Sequence, residues 1–370
     1  MSDLRPPRVL VAPITISPTK PLTPTHARFL LIIDVLYRAT AHIADVTCVY
    51  DHHAFAAGHQ TVAFWEYLDR TCPDADFRHA TEEEIGELYV RHHAEGARVP
   101  YSRLEPYVQR ARSARWLHPS ALRLLDIWRG HYRTLNLFDT ELGRHGPPVL
   151  SDAELVEVLA DRHLCIDGRP VRAPVYLDLT AQGIPLRGLV SAAGQANYLT
   201  CVLGQLIPLA GRYDLFVLVY DRGLREDYLL VERVLRAFGA RAVRFEVDRV
   251  PIGGVAASSR HGGWQGFTLD ALRRQVDVDK VTLRLALRLY LIAALGRGAS
   301  GSFRVEDLRR WVHRARRLKA TTDADTATLS PFLARLARGV GYVDPHRLTA
   351  QLLTRSDRVP SRQLLERVYP

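Results

Sequence analysis

The chain has 370 residues, a net charge of +10 and 47% hydrophobic residues, which predicts a large folded core and excludes a disordered chain. Residues 1–5 lack an apolar signal segment, and no apolar stretch has the length of a membrane span, so we expect a cytoplasmic protein without membrane contact. Its four cysteines show no CxxC spacing, which favours free thiols over disulfides or a metal site.

The positive charge comes almost entirely from arginine. Only three lysines occur, Lys20, Lys280 and Lys319. Because basic surfaces attract phosphate backbones, the excess predicts a polyanionic partner such as RNA. The alternative is that the arginine excess reflects coding bias alone.

The first predicted unit is a strand, a loop, a helix and a second strand. Residues 9–16 form an apolar run, a loop rich in proline and threonine follows, and a helical pattern opens at His26. A second β-rich run, residues 46–50, leads into Asp51 and His52. Because loops after parallel strands face one cleft, Asp51 and His52 are candidate substrate-binding residues.

The helix start Thr23-Pro24-Thr25-His26 resembles part of the class I aminoacyl-tRNA synthetase signature His-x-Gly-His. His26 matches the last histidine, and Thr25 stands where the family has glycine. The resemblance implies an α/β, Rossmann-like nucleotide-binding fold with a parallel sheet, in which Thr25 contacts substrate. Taken alone, the four residues are also typical of an ordinary capped helix start.

The sequence pattern of residues 54–150 predicts a mostly helical insertion, in which one helix starts at the acidic residues 82–84. Histidine, arginine and aromatic residues at 89–93 and 110–116 suggest contacts with RNA, or a solvated helix face. Adjacent histidines point to different sides of a helix or strand, and no carboxylate lies at ligand spacing. We therefore expect no metal site.

Two later segments narrow the resemblance to arginyl-tRNA synthetases. Residues 128–139 are similar to a helix-to-strand segment of that family, and residues 191–202 resemble its Ser-Asp-Gly-x-x-x-Tyr-x-Thr-Arg-Asp run. Tyr198 and Thr200 match this run, while Val202 replaces the aspartate that holds the arginine substrate. Within the same run, the resemblance makes Gln195 and Asn197 candidate substrate contacts.

The second half of the nucleotide fold is predicted from a strand at 213–221, a helix at about 225–238 and a strand at 242–247. Asp221, at the end of its strand, is a candidate substrate contact. The family then has Lys-Met-Ser-Lys, whose lysines neutralise ATP phosphates. Here Ser258, Ser259 and Arg260 remain and neither lysine does, so the resemblance implies that ATP is not used. The other interpretation is a flexible Gly/Ser loop.

The remaining chain predicts an apolar helix at 281–295, an arginine-rich helix at 305–318, a linker at 320–328 and short helices. We predict a synthetase-like catalytic domain at 1–295 and a short C-terminal helical region at 296–370. Arg309 and Arg310 are candidate tRNA contacts, or part of a solvated face.

A class I scaffold without ATP motifs resembles cyclodipeptide synthases, which join amino acids taken from aminoacyl-tRNA. The resemblance implies that Ser17 is the nucleophile that accepts the aminoacyl group. His26 is the candidate base, and Tyr198 would orient the amino group or relay a proton. This hypothesis needs no cofactor, and its partner is an aminoacyl-tRNA, with Arg-tRNA as one possibility.

Two other functions fit the same residues. One is an ATP-dependent ligase, a synthetase paralogue that activates an amino acid for a small amine or carrier protein, with Lys20, Arg28 and Arg260 binding phosphates. The other is a non-catalytic protein that binds tRNA or an amino acid. In either case, Ser17 would be an ordinary turn residue.

Overall fold

The computed structural model describes residues 5–53, 55–96, 99–113, 116–139, 149–255, 259–295, 301–320, 327–354 and 358–370. These residues form a four-stranded parallel sheet, a three-stranded antiparallel sheet and helices around them. The predicted α/β, Rossmann-like class is confirmed.

The N-terminal unit consists of strand β1 (Arg8–Pro13), helix α1 (Pro24–Thr40) and strand β2 (Asp45–Cys48). Helix α1 starts where Thr23 caps it and Pro24 supplies a preset backbone angle. Strand β1 is buried on both faces, because its alternate side chains enter two separate hydrophobic cores.

The segment after β2 is helical, as predicted. Its helices begin at defined caps, such as the capping box that Thr81 and Glu84 form at the start of α3. The four helices are α2 (His59–Thr71), α3 (Glu82–Glu95), α4 (Tyr101–Ser113) and α5 (Pro119–Leu135). They pack into the same core as α1.

A small antiparallel sheet follows helix α6 (Asp152–Ala160) and precedes helix α7 (Tyr198–Leu206). Its strands pair in the order β3, β4, β5 and are β3 (Cys165–Asp167), β4 (Val175–Leu177) and β5 (Arg187–Val190). This part packs into the second core.

The second half of the parallel sheet is strand β6 (Leu215–Asp221), helix α8 (Arg225–Ala237) and strand β7 (Ala242–Val247). The strand order is β2-β1-β6-β7, and every pair is parallel. The carboxyl ends of β1, β6 and β7 therefore lie side by side.

The chain continues through helices that pack back on α1. They are α9 (Leu269–Gln275), α10 (Lys280–Leu289), a π-helical turn (Tyr290–Ala294), α11 (Val305–Ala320), α12 (Leu329–Leu336), α13 (Pro345–Thr354) and α14 (Ser361–Arg367). The backbone N–H of Val343 donates to the hydroxyl of Thr40 at 3.1 Å. Residues from both sides of position 295 share one core, and the division at that position remains a prediction.

One ion pair lies fully inside this core. Arg288 of α10 donates to the Asp34 carboxylate of α1 at 2.6 Å, and neither side chain is exposed. Arg38 and the backbone N–H of Phe138 donate to the same carboxylate at 2.9 and 2.8 Å. Three donors thus compensate the buried charge and join the helices of this layer.

Candidate active site

A cavity of about 400 Å³ opens where β1, β6 and β7 end. Its walls come from the loop between β1 and α1, the start of α1, the ends of β6 and β7, and the segment near residue 260. Polar and charged groups among its lining residues are Thr15, Ser17, Lys20, Thr25, His26, Gln60, Tyr198, Asp221, Asp248, Arg249, Ser259 and Arg260. In parallel α/β sheets this edge is the usual place for ligands.

The loop that contains Ser17 is fixed by hydrogen bonds from two side chains that follow β2. The Ile16 N–H donates to the Tyr50 hydroxyl at 3.3 Å, and the His52 ring nitrogen Nδ1 donates to the Ile16 carbonyl at 3.0 Å. Burial lowers the pKa of His52 to about 4, so the ring is neutral. Asp51 and His52 are buried outside the cavity lining, and the Asp51 carboxylate accepts the N–H of His53.

His26 closes the first turn of α1 with its side chain. The backbone N–H of Thr23 donates to His26 Nδ1 at 3.1 Å. Since Nδ1 is an acceptor, the proton of the neutral ring lies on Nε2. Burial, helped by the charges of Lys20 and Arg249, lowers the pKa of His26 to about 3. The ring is therefore a hydrogen-bond donor at neutral pH.

Thr25 joins the two halves of the sheet. The backbone N–H of Val250, just past β7, donates to the Thr25 hydroxyl at 3.0 Å, and that hydroxyl lies 3.4 Å from the Val250 carbonyl. Arg28 is buried behind it and donates to the Asp248 carbonyl at 3.0 Å. Arg28 lies outside the cavity lining, where it ties α1 to the end of β7.

The charges around the cavity are partly paired. Arg249 forms two hydrogen bonds with the Asp221 carboxylate, at 2.9 and 3.0 Å. Burial, together with Arg249 and Arg260, lowers the pKa of Lys20 to about 8, although Asp221 opposes this effect. With Asp221 neutralised by Arg249, the lining keeps a positive excess from Lys20 and Arg260.

Tyr198 enters the cavity from the first residue of α7. Its hydroxyl lies 3.0 Å from that of Tyr228, its ring stacks on Phe55, and burial holds its pKa well above the usual range. Asn197 lies outside the lining and caps α7, with its side chain oxygen accepting the Thr200 N–H. Gln195 also lies outside the lining and bonds to His59 at 2.7 Å.

The segment that stands in place of the family's lysine motif reaches the cavity through Ser259 and Arg260. Ser258 lies outside the described residues. Trp264 anchors the segment by donating from its indole nitrogen to the Ser259 carbonyl at 2.9 Å. The ring of Trp264 is buried against Gly86 of α3, where a side chain carbon would come within 2.6 Å of it.

Arg309 and Arg310 lie away from the cavity on the exposed side of α11. Arg309 donates to the Gln275 carbonyl at 3.1 Å, and Arg310 pairs with Asp307. With Arg314 and Arg316, both exposed, they form a basic face of α11.

No protein-family model matches the chain. No curated protein matches it by sequence. Solved structures do match. Arginyl-tRNA synthetase from Thermus thermophilus aligns with a TM-score of 0.56 and 15% identity over 98% of this chain and 74% of that one. The Plasmodium falciparum arginyl-tRNA synthetase has a TM-score of 0.56 and 12% identity over 100% of this chain and 75% of its own.

The fold is similar to that of arginyl-tRNA synthetases. At these identities the similarity concerns the class I synthetase fold, and the chemistry must be argued from the cavity. Within the part of the chain that the structure describes, no helix is long and apolar enough to cross a membrane. The same residues contain no group of three or more histidine, cysteine or acidic side chains placed for a metal ion.

Four polar residues of the described cavity lining were not predicted: Thr15, Gln60, Asp248 and Arg249. Asp248 and Arg249 directly follow β7, and the rule that loops after parallel strands face the cleft would have identified them. Gln60 lies at the start of α2, where it bonds to Tyr89, and no pattern in the sequence marks it.

Proposed function

We propose that this protein transfers aminoacyl groups from aminoacyl-tRNA through Ser17 and without ATP, forming cyclic dipeptides. The observation that carries the proposal is that Ser17 lines the cavity at the end of β1, surrounded by a neutral histidine, a tyrosine and an excess of positive charge. The ester of a charged tRNA already contains the activation energy that ATP would otherwise supply.

An aminoacyl-tRNA has phosphates, which cations bind, and an aminoacyl ester, whose oxygens accept hydrogen bonds. We assign Arg260, whose charge lines the cavity, to phosphate near the 3′ end of a tRNA. The Nε2–H of His26 is a donor, so we assign it to the ester carbonyl or the departing oxygen, where negative charge develops. This role differs from the general base that the sequence suggested, since a base needs a free lone pair on that nitrogen.

Tyr198 stays protonated throughout the neutral pH range, because burial raises its pKa. With Tyr228 at 3.0 Å, its hydroxyl keeps a lone pair to accept an N–H from the amino group of the second aminoacyl group. We assign Tyr198 this orienting role.

The bond between Thr25 and Val250 supports a reaction without ATP. Thr25 lines the cavity, and its hydroxyl already accepts the N–H of Val250, which is buried just past the lining residues Asp248 and Arg249. A nucleotide base would have to break this contact to hydrogen-bond there. The sequence adds that neither lysine of the family's phosphate-binding motif is present.

The cavity is also poorly suited to an arginine side chain. Its two carboxylates are already paired, Asp221 with Arg249 and Asp248 with Arg222. A guanidinium would need a free carboxylate, and Val202 replaces the family's aspartate. We therefore infer that the transferred amino acid has an uncharged side chain.

We assign the basic face of α11 to the phosphate backbone of the tRNA. Its arginines are exposed and lie on one side of a sixteen-residue helix. Each phosphate contact releases counterions, so binding should weaken steeply with salt. Replacing Arg314 and Arg316 by glutamine should weaken tRNA binding at low salt and leave any reaction without tRNA unchanged.

The proposal is tested by incubating the protein with a pool of aminoacyl-tRNAs, without ATP or synthetases, and identifying products by mass spectrometry. We expect cyclic dipeptides from the wild type and from Ser113→Ala, a control at an exposed helix serine, and none from Ser17→Ala. Brief incubation with labelled aminoacyl-tRNA should also leave an aminoacyl group on Ser17. Product formation that is unchanged in Ser17→Ala, or absent in all three proteins, would contradict the proposal.

A second candidate is the ATP-dependent ligase, which the positive excess of Lys20 and Arg260 favours because it would also suit a triphosphate. This candidate predicts exchange of pyrophosphate into ATP when amino acids are present. Exchange that is lost in Lys20→Met would replace the first proposal by this one.

A further inference from the structure

Ser17 and Lys20 lie three residues apart in the loop between β1 and α1. The N–H of Thr19 donates to the Ser17 carbonyl at 2.8 Å, which forms a tight turn at Pro18. Pro18 and Thr19 are buried inside the turn, whereas Ser17 and Lys20 both line the cavity. A serine followed three residues later by a lysine also supplies nucleophile and neighbouring amine in enzymes that form acyl-serine intermediates.

The surroundings of Lys20 make its neutral form accessible near neutral pH. Burial has the largest effect, two arginines add to it, and the pKa of Lys20 falls to about 8. About a tenth of the amine is then neutral at pH 7. The titratable and charged groups that face Lys20 from the surrounding elements are His26, Tyr89, His93, Asp221, Arg249 and Arg260.

The other candidates for a base are already engaged. His26 accepts the Thr23 N–H on Nδ1, so its second nitrogen carries a proton. Asp221 is held by two hydrogen bonds from Arg249. Tyr198 stays protonated. Among the described lining residues, Lys20 is a titratable group whose neutral form has a free lone pair, that lies three residues from Ser17 in the chain and that forms no ion pair with another described residue.

We propose that Lys20 is the general base that activates Ser17. This inference rests on the proposed acyl transfer and assigns a further catalytic residue to it. The neutral Lys20 amine takes the proton of Ser17 Oγ while Oγ bonds to the carbonyl carbon of the aminoacyl ester. The bond from that carbon to the tRNA 3′-oxygen breaks, and the 3′-oxygen takes the proton from the Lys20 ammonium.

The second half of the reaction returns the serine. The amino group of a second aminoacyl-tRNA attacks the acyl carbon on Ser17, forms the peptide bond and gives one proton to Lys20. The bond between the acyl carbon and Ser17 Oγ breaks, and Oγ recovers that proton from Lys20. The free amine of the dipeptidyl ester then attacks the ester carbon and closes the ring, the bond from that carbon to the 3′-oxygen of the second tRNA breaks, and the amine proton passes to that oxygen.

A fluorophosphonate tests the pair without tRNA or ATP. Ser17 Oγ would bond to phosphorus as fluoride leaves, and mass spectrometry of the digested protein locates the label. We expect the labelling rate of Ser17 to rise with pH and level off above about pH 8, as Lys20 loses its proton. Lys20→Met and Lys20→Arg should each slow labelling at least about 100-fold, because neither retains a base.

The two variants separate catalysis from structure. Lys20→Arg keeps the positive charge, so a purely electrostatic role of Lys20 would leave its labelling rate and pH profile close to those of the wild type, and that result would overturn the inference. Lys280→Met is the matched control and should label like the wild type. Circular dichroism of each variant confirms that it is folded.

The same proteins distinguish this inference from the proposed function. If labelling of Ser17 depends on Lys20 but no transfer from aminoacyl-tRNA occurs, the role of Lys20 as the base for Ser17 is supported and the proposed function is wrong. If transfer needs Ser17 but proceeds equally well in Lys20→Arg, the proposed function is supported and the role of Lys20 as the base is wrong. A wild-type protein in which fluorophosphonate leaves Ser17 unlabelled would also overturn the pair.

Discussion

Gly86 lets helix α3 pack closely against two segments next to the cavity, the loop after β1 and the segment that contains Trp264. Its replacement by alanine tests this packing. An alanine Cβ would lie 2.6 Å from Pro21 Cδ, in the loop after β1, and 2.6 Å from Trp264 Cη2. Ordinary contact begins at 3.4 Å, so these atoms must separate by about 0.8 Å. Both neighbours are rigid rings, and overpacking of this kind costs about 1–3 kcal/mol.

Alanine also favours any helix over glycine by about 1 kcal/mol, which would mask part of this cost. Gly130 provides the matched control, since it lies inside α5 and a Cβ there would meet nothing within 4 Å. The propensity gain cancels between the two variants. We therefore expect Gly86→Ala to be about 1–3 kcal/mol less stable than Gly130→Ala.

Urea unfolding of both variants, followed by circular dichroism, measures this difference. Gly130→Ala should be slightly more stable than the wild type. Stabilisation by Gly86→Ala equal to that by Gly130→Ala would contradict this prediction, because it would mean that the two loops are not packed against α3 as the structure shows. Digestion by a protease should show that Gly86→Ala is cut faster near Trp264.

Three further predictions concern stability. Asp34→Asn leaves Arg288 buried without its counter-charge and should cost about 3–5 kcal/mol in urea unfolding, and a loss under 1 kcal/mol would contradict it. His52 has a pKa of about 4 when folded, so the unfolded chain binds its proton first as pH falls. The contribution of His52 to the unfolding free energy should therefore fall by about 3 kcal/mol between pH 7 and 4, and His52→Gln should remove that part of the pH dependence. Thr25→Val removes the acceptor of the Val250 N–H and should lower the free energy of unfolding by about 1–3 kcal/mol in urea unfolding, whereas Thr25→Ser keeps the hydroxyl and should retain most of the stability.

The parallel sheet and its helices could be predicted because their patterns are strong. The segments 9–16 and 213–221 contain the apolar runs 9–14 and 215–220, which are typical of strands buried on both faces. Gly239 marks the end of α8, where its φ of +78° suits glycine. The predicted and observed strands differ by a few residues at their ends; for example, the strand predicted at 46–50 is Asp45–Cys48.

The cavity could be predicted in part. Ser17, His26 and Asp221 follow strands or open a helix, and these positions face the cleft in any fold of this kind. His52 follows a strand too, but it lies in a turn four residues past β2, and its ring donates to the Ile16 carbonyl of the loop behind the cavity. Asn197 has the residue type of a ligand contact and is instead a helix cap.

Other features depend on long-range packing that no local pattern contains. Gly86 and Trp264 lie far apart in the sequence, and their contact becomes visible only when the insertion is placed on the sheet. The tautomer of His26 depends on one backbone donor at Thr23. That single hydrogen bond decides whether the ring is a base or a donor.

The order of strands in the parallel sheet has a consequence for how the protein is made. In the centre of the sheet, Val9 of β1 pairs with Leu215 of β6, so about two hundred residues must leave the ribosome before β1 gains its second neighbour. Until then, one edge of β1 is open and its apolar side chains are exposed to other chains. Synthesis of this protein should therefore be sensitive to chaperone supply, and slower translation should allow the insertion helices to cover one face of β1 first.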